Sequence, residues 1–153
     1  MVRSMRSKAF HAIEVVRVSA IPPTWLGNPT FLNSYDYEQD KVCPLGKRLA
    51  ESTPKEQHAI IDAFIQFNQD LLGYGVIERS FNITKNYGVA ACGNIILLDL
   101  GELFDKVEDQ ERMFRERVWA REYVAGCIED LSVRSYFIKR MDETFGILGD
   151  KRR

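Results

Sequence analysis

The residues of this chain best suited to chemistry are Asn86 and Asp99, thirteen positions apart. Asn86 heads the short β-type run 87–90, and Asp99 ends the run 95–99, with Ala91-Cys92-Gly93-Asn94 between them. Gly-Asn supplies the positive φ of a tight turn, so the spacing predicts a hairpin. Antiparallel pairing brings the head of its first strand to the tail of its second. An amide oxygen and a carboxylate meeting there form a hard-oxygen pair of the kind Mg²⁺ takes, since that ion usually keeps one or two carboxylates together with substrate phosphates. The chemistry implied is a metal held on a nucleotide, with Asn86 and Asp99 as its ligands. Lys85 adjoins the pair and Arg79 lies a little upstream, and either cation could meet a phosphate.

The elements that must position these residues follow from local pattern. Residues 12–18, Ala-Ile-Glu-Val-Val-Arg-Val, are β-rich with partial alternation and run into Ile21-Pro22-Pro23, which forces an extended turn, so a strand is expected. Residues 30–33 and 37–42 predict a second and third strand as a hairpin, closed by Pro44 and Gly46. Thr53-Pro54-Lys55-Glu56 is a capping box with proline at the first helical position. The helix it opens carries Ile60, Ile61, Phe64, Ile65, Phe67, Leu71 and Leu72 on a wide apolar face, and Gly73 is expected to end it in the left-handed conformation. Ile95-Ile96-Leu97-Leu98 is apolar without alternation, which fits a strand covered on both faces or a short buried helix. Downstream, Val107, Met113, Phe114, Val118 and Trp119 predict one helix; Val133, Phe137, Met141 and Phe145, with Asp130 near the start and Gly146 after the end, predict another. The expected fold is α+β in one domain, 1–46 being a short β-rich part and 47–153 a mainly helical part with a hairpin.

Composition narrows the function classes. At 153 residues the chain can bury an ordinary core. Its 21 Lys and Arg against 22 Asp and Glu leave no basic field for a phosphate backbone, so nucleic acid is not expected as a partner. The basic ends, Arg3, Arg6 and Lys8 and then Lys151-Arg152-Arg153, read as solvated tails. Cys43, Cys92 and Cys127 show no paired spacing and are read as inert core thiols; with only His11 and His58 beside them, neither a zinc site nor a disulfide framework is expected. A reducing, cytoplasmic setting fits. Asn82-Ile83-Thr84 matches a glycosylation sequon, but no apolar leader follows Met1-Val2-Arg3, so the match reads as accidental. No run is long and apolar enough to span a bilayer. His11 and His58 have no acidic or thiol partner nearby in sequence, and Trp25 and Trp119 read as core or partner anchors.

On the residues that opened this section, the chain resembles the protein-kinase-like superfamily. Asn86 resembles the metal-binding asparagine of that family's catalytic loop, and Asp99-Leu100-Gly101 resembles its Asp-Phe-Gly motif, at a similar spacing. The helix 54–72 is similar to the long central helix of the kinase C-lobe, and residues 75–85 stand where its catalytic loop would. Residues 37–45 with Gly46-Lys47-Arg48-Leu49-Ala50 resemble the last N-lobe strand, the hinge and the first C-lobe turns. The likeness runs over residues 30–105 and is motif-specific in 86–101. It implies a C-lobe-like core, ATP and Mg²⁺ as ligands, Lys85, Asn86 and Asp99 as the groups that contact them, and phosphoryl transfer as the reaction class.

Two departures set the expected activity. The family's loop reads His-Arg-Asp-x-x-x-x-Asn, and the position of its aspartate is Phe81 here, which cannot act as a base. No glycine precedes Gly27, so the glycine-rich phosphate loop and the strand lysine have no counterpart before residue 30. Losing a positioned base costs about 10²- to 10⁴-fold, and losing a phosphate cradle often costs more. The expectation is a degenerate, pseudokinase-like domain with no assigned catalytic residue; Glu78 and Glu102 are the nearest carboxylates that could substitute. Asp-Leu-Gly and Asn-Tyr-Gly are also ordinary turn chemistry, so a hairpin without a ligand is the plain alternative. In that case the chain is a non-enzymatic interaction module whose surface between Val107 and Phe145 binds a protein partner or a second copy. A third reading is a fragment whose missing lobe comes from other sequence.

Overall fold

The structure, a computed structural model, describes residues 11–12, 14–16, 20–33 and 36–146. Its strands are β1 (Thr30–Phe31), β2 (Tyr37–Glu38), β3 (Cys43–Pro44), β4 (Ile77–Glu78), β5 (Tyr87–Val89), β6 (Ile95–Leu97) and β7 (Leu103–Phe104). Its helices are α1 (Leu45–Ala50), α2 (Pro54–Gly73), α3 (Val107–Arg115) and α4 (Leu131–Met141). The fold is α+β and, among the described residues, has three small antiparallel sheets, β1-β2, β3-β5-β6 and β4-β7, set against the helices.

The capping box sets α2. The amide of Glu56 donates to Thr53 Oγ1 (3.3 Å) while Glu56 Oε1 accepts from the Thr53 amide (3.3 Å) and hydroxyl (2.8 Å). Two otherwise orphaned donors are satisfied at the start of a 20-residue helix. Ile61, Phe64, Ile65, Phe67, Asn68 and Leu71 make its buried face. Helix α4 packs along it, with the Tyr136 hydroxyl donating to Asp62 (2.7 Å) and the Tyr136 ring stacked on His58 at 4.0 Å. Asp130 caps α4 by accepting from the Ser132 and Val133 amides.

Four local expectations are corrected. Residues 12–18 do not form a strand: residues 11–12 and 14–16 are helical, and residues 13, 17 and 18 lie outside the described residues. Ala12, Val15 and Val16 are all buried, and their spacing is that of one helix face, which outweighs the β-branched composition. The left-handed residue after α2 is Gly75 (φ 78°), not Gly73, which stays helical. The helix expected through Trp119 ends at Arg115; Arg117 takes φ 49° and pairs with Asp142 (2.8 Å), so Val118 and Trp119 ride on a separate 3₁₀ turn, Val118–Ala120. Phe145 follows α4 in a π-helical turn, Asp142–Gly146. The basic ends, at 3, 6 and 8 and at 151–153, lie outside the described residues.

The expected hairpin is β5-β6, with Tyr87 opposite Leu97 and Val89 opposite Ile95, and Gly93 supplies the turn's positive φ (90°). Residues 95–97 are buried, as a strand covered on both faces should be. The Tyr87 hydroxyl donates to Asn68 Oδ1 (2.9 Å), whose Nδ2 donates to the Phe64 carbonyl (2.9 Å), so the hairpin is tied to α2 through a buried polar chain. Thr53→Ala removes the cap and is expected to cost about 1 kcal/mol, lowering the midpoint of thermal unfolding by roughly 2–4 °C; circular dichroism melting checks it.

Candidate functional site

The candidate site is the loop between β4 and β5 together with the turn after β6. Strand β4 pairs with β7, Ile77 opposite Phe104 and Glu78 opposite Leu103, and the Arg79 amide donates to the Glu102 carbonyl (2.9 Å). This pairing joins the start of the loop to the chain just beyond the Asp-Leu-Gly turn.

Within the loop Phe81 has φ 52°, a left-handed backbone that a bulky residue rarely takes and that costs about 1–3 kcal/mol. What offsets the strain is the ring, which is fully buried 4.8 Å from Phe145, 5.9 Å from Trp119 and 6.4 Å from both Phe114 and Phe64. Burying a phenylalanine side chain stabilises by about 1.5–3 kcal/mol, and each favourable aromatic pair adds about 0.5–1.5. The position at which the kinase-like pattern has a carboxylate is therefore a core position.

The backbone reversal at Phe81 turns the amides on either side of it toward one acceptor. Ser80 N (3.2 Å) and Asn82 N (3.3 Å) both donate to Glu78 Oε2, while the Ser80 hydroxyl (3.0 Å) and Asn86 Nδ2 (2.9 Å) donate to Glu78 Oε1. Glu78 is fully buried and has no cationic partner among the described residues. Burial pushes its carboxyl up from 4.5 to about 7, and the bonds from Asn86, Ser80 and Asn82 pull the other way without prevailing. A carboxyl shut away from solvent cannot reach a substrate hydroxyl, so Glu78 is a structural acceptor in this fold, not a replacement base. Glu102 faces Arg79 at 3.7 Å, and the Arg79 guanidinium lies over the Phe104 ring at 4.8 Å.

Asn86 and Asp99 are neighbours through the backbone. The Leu98 amide donates to the Asn86 carbonyl at 2.9 Å, which sets Asp99 one residue beyond a bonded cross-strand pair. Their side chains have different partners. Asn86 turns its nitrogen to Glu78, with Ser80 Oγ farther off at 3.5 Å, while Asp99 Oδ1 accepts from the Gly101 amide (3.1 Å) and caps the 3₁₀ turn Leu100–Glu102. Asn86 Oδ1 and Asp99 Oδ2 have no hydrogen-bond partner among the described residues. Asp99 is half-buried, and burial raises its carboxyl against the opposing Gly101 bond. Lys85 is exposed.

One residue of this site carried no sequence signal. Tyr37, on β2, accepts from the Leu100 amide with its hydroxyl oxygen (2.9 Å) and reaches the Leu98 carbonyl at 3.5 Å, so it pins the Asp-Leu-Gly turn from another sheet. Burial raises the Tyr37 hydroxyl, and the Asp99 charge adds to that shift. Other expectations resolve as follows. Asn82 is buried with its side-chain oxygen accepting from the Thr84 hydroxyl (3.2 Å), so the sequon is closed to a glycan. Cys92 and Cys127 are exposed and Cys43 is half-buried, so they are not core thiols: the first stands on the hairpin turn and the second on a 3₁₀ turn, where nothing covers them. His11 meets Asp105, 94 residues on, at 3.3 Å. Trp119 is a core residue whose indole nitrogen donates to Asp142 (2.9 Å), and Trp25 packs on Phe67 and Tyr74. Between Val107 and Phe145 the apolar stripe turns into the core, leaving Val107, Tyr123 and Leu131 exposed.

A cavity of about 1070 Å³ opens at the other end of the hairpin, between its turn, α1, α2 and Trp25; neither Lys85, Asn86 nor Asp99 lines it. Among the described residues no three His, Cys, Asp or Glu side chains are grouped as a self-sufficient metal site requires, and no helix is long and apolar enough to cross a membrane. No protein-family model, curated protein or solved structure matches the chain.

Glu78 gives the site a pH signature. Folding raises its pKa from 4.5 to about 7, so between those values the native state holds a proton that the unfolded chain has released. Its contribution to stability is complete below 4.5 and is lost as pH rises through about 7. Over this window the urea-unfolding free energy of wild type is expected to fall relative to Glu78→Gln by about 2–3 kcal/mol. A constant difference between the two proteins would remove Glu78 as the titrating group.

Proposed function

We propose that the chain is a degenerate protein-kinase-like domain that binds ATP with Mg²⁺ through Asn86 and Asp99 and lacks a catalytic base. The observation that supports this reading is the bond from the Leu98 amide to the Asn86 carbonyl, which sets Asp99 one residue beyond the partner of Asn86 at the open end of the hairpin, each side chain having one oxygen without a hydrogen-bond partner among the described residues. The order of elements supports it as well: a capped helix, a loop, and a hairpin that ends in Asp-Leu-Gly.

The donor set fits a hard cation that completes its shell from phosphates and water, because it offers two oxygens and no thiol or imidazole. Bound there, Mg²⁺ would neutralise charge on the nucleotide phosphates. The rest falls to the chain. Asp99, half-buried with its carboxyl raised, is a carboxylate that gains from a nearby positive charge. Tyr37 holds the turn that carries it. Lys85, exposed and next to Asn86, is the cation available to a phosphate. Phe81 leaves the acceptor hydroxyl without a base, so binding without efficient transfer is the expected behaviour.

Thermal shift tests the binding. Ligand at ten times its dissociation constant stabilises by about 1.4 kcal/mol, or roughly 2–4 °C for a domain of this size. Wild type is expected to shift with Mg-ATP and not with ATP plus EDTA, and Asp99→Ala is expected to lose the shift. Absence of any shift for wild type at millimolar Mg-ATP would overturn the reading. Phe81→Asp, the substitution that restores the family's aspartate, is expected to destabilise the protein by about 3–5 kcal/mol and to confer no transfer, because it empties the centre of the aromatic cluster and buries a charge there; urea unfolding and an ATP-turnover assay measure both.

A protein-interaction role draws on a different observation, the exposure of Val107 (52 %), Tyr123 (51 %) and Leu131 (69 %). Light scattering across a concentration series reports self-association, and strict monomers that capture no partner count against it.

A further inference from the structure

We propose that Glu78 is a positioning residue for the metal site: its buried carboxylate fixes which end of the Asn86 amide is presented as a ligand. The inference rests on the reading of Asn86 as a metal ligand and adds a device that decides whether it can serve as one.

An asparagine amide has two ends of nearly equal shape and opposite function. The oxygen can ligate a hard cation, whereas the NH₂ group, a donor only, repels it. Rotation by a half turn about the terminal torsion exchanges the two ends, and on an unconstrained side chain both orientations are populated. In this structure the choice is made by a carboxyl oxygen that accepts from the Asn86 amide. Glu78 Oε1 lies 2.9 Å from Asn86 Nδ2, and the Ser80 hydroxyl and the Ser80 and Asn82 amides also donate to this carboxyl, so its oxygens act as acceptors, the Asn86 nitrogen faces it and Oδ1 is left for another partner.

The carboxylate is itself unable to turn. Oε2 is held by the Ser80 and Asn82 amides and Oε1 also takes the Ser80 hydroxyl. Those two amides converge because Phe81 between them is locked in the left-handed conformation by its aromatic neighbours. Glu78 sits at the end of β4, whose pairing with β7 fixes its backbone. Being fully buried, it has no water competing for its oxygens. The chain of constraint thus runs from the aromatic core through two backbone amides and one carboxylate to a single amide oxygen.

The test exchanges donor and acceptor across the 2.9 Å contact. In Glu78→Gln the new side chain keeps its oxygen on the Ser80 and Asn82 amides and turns its nitrogen toward Asn86. The Asn86 amide then swings round to offer its oxygen inward and its NH₂ group outward. Calorimetry with Mg-ATP is expected to show affinity lower by about ten- to a hundred-fold, the usual cost of losing a group that orients a ligand. Adding Asn86→Asp to Glu78→Gln supplies a carboxylate that accepts from the new amide with one oxygen and presents the other outward, and most of the lost affinity is expected to return. Asn86→Asp alone sets two carboxylates face to face and is expected to bind poorly. A merely structural role for Glu78 would let the double variant recover stability without recovering metal-dependent affinity.

Two outcomes separate this inference from the one beneath it. Wild type that does not bind Mg-ATP removes the proposed function, and the orientation is then read without any metal: the Asn86 side-chain amide protons, observed by ¹⁵N NMR in the metal-free protein, are expected to exchange slowly with solvent. Wild type that binds, with Glu78→Gln binding equally tightly, overturns the positioning role. Fast exchange of those amide protons in wild type overturns it too, whether or not the variants fold.

Discussion

A carboxyl withdrawn from water with no cation beside it among the described residues must be met by donors, and the loop from β4 to β5 is shaped by that requirement at Glu78. Four groups answer it, the amides of Ser80 and Asn82, the Ser80 hydroxyl and the Asn86 side chain, and each constrains the chain that carries it. The loop cannot relax into an ordinary turn without stranding a buried charge, at a cost of several kcal/mol. Even fully satisfied, the group prefers its proton more than a solvated glutamate does, which shows that hydrogen bonding recovers only part of the desolvation.

Phe81 is the counterweight. A left-handed backbone is what allows the amides before and after it to point at one acceptor, and the strain is tolerated because the ring joins Phe64, Phe114, Trp119 and Phe145. Core packing and loop geometry are therefore one feature. A small or polar residue at this position would release the strain and lose the anchor together. That coupling explains why position 81 is hydrophobic: a carboxylate there would be both desolvated and without an outlet to solvent.

Much of this architecture was legible wherever local physics decides. The capping box at Thr53 and Glu56, the hairpin around Gly93 and the neighbouring placement of Asn86 and Asp99 all follow from contacts within a short span of sequence. What was not legible depends on distant partners. Residues 12–18 read as a strand by composition, but Ala12, Val15 and Val16 had a helical face to bury. The helix after Asp105 breaks at Arg117, an arginine with no turn propensity of its own whose left-handed backbone accompanies an ion pair with Asp142. Glu78 drew notice only as a carboxylate near a loop, because full burial is a property of the assembled fold. Tyr37 gave no signal, since nothing in residues 37–42 announces a hydroxyl that will meet the amide of Leu100.

The two pins at the open end of the hairpin bear on whether that end does anything. Glu78 holds Asn86 from the β4-β7 sheet and Tyr37 holds the Asp-Leu-Gly turn from the β1-β2 sheet, so residues far apart in sequence converge on one short stretch. Neither pin is what stability alone would select. Replacing a buried ionisable cluster by well-packed apolar side chains is often neutral or favourable, and a partly desolvated Asp99 with one oxygen lacking a hydrogen-bond partner among the described residues is a cost that an ordinary turn residue would avoid. Local violations of this kind, a strained phenylalanine, a buried carboxyl with no cation beside it among the described residues and a half-buried aspartate, are expected to gather where a protein binds something. Here they gather at the open end of the β5-β6 hairpin and not around the cavity at its turn, and that placement favours a search for a ligand beside Asn86 and Asp99.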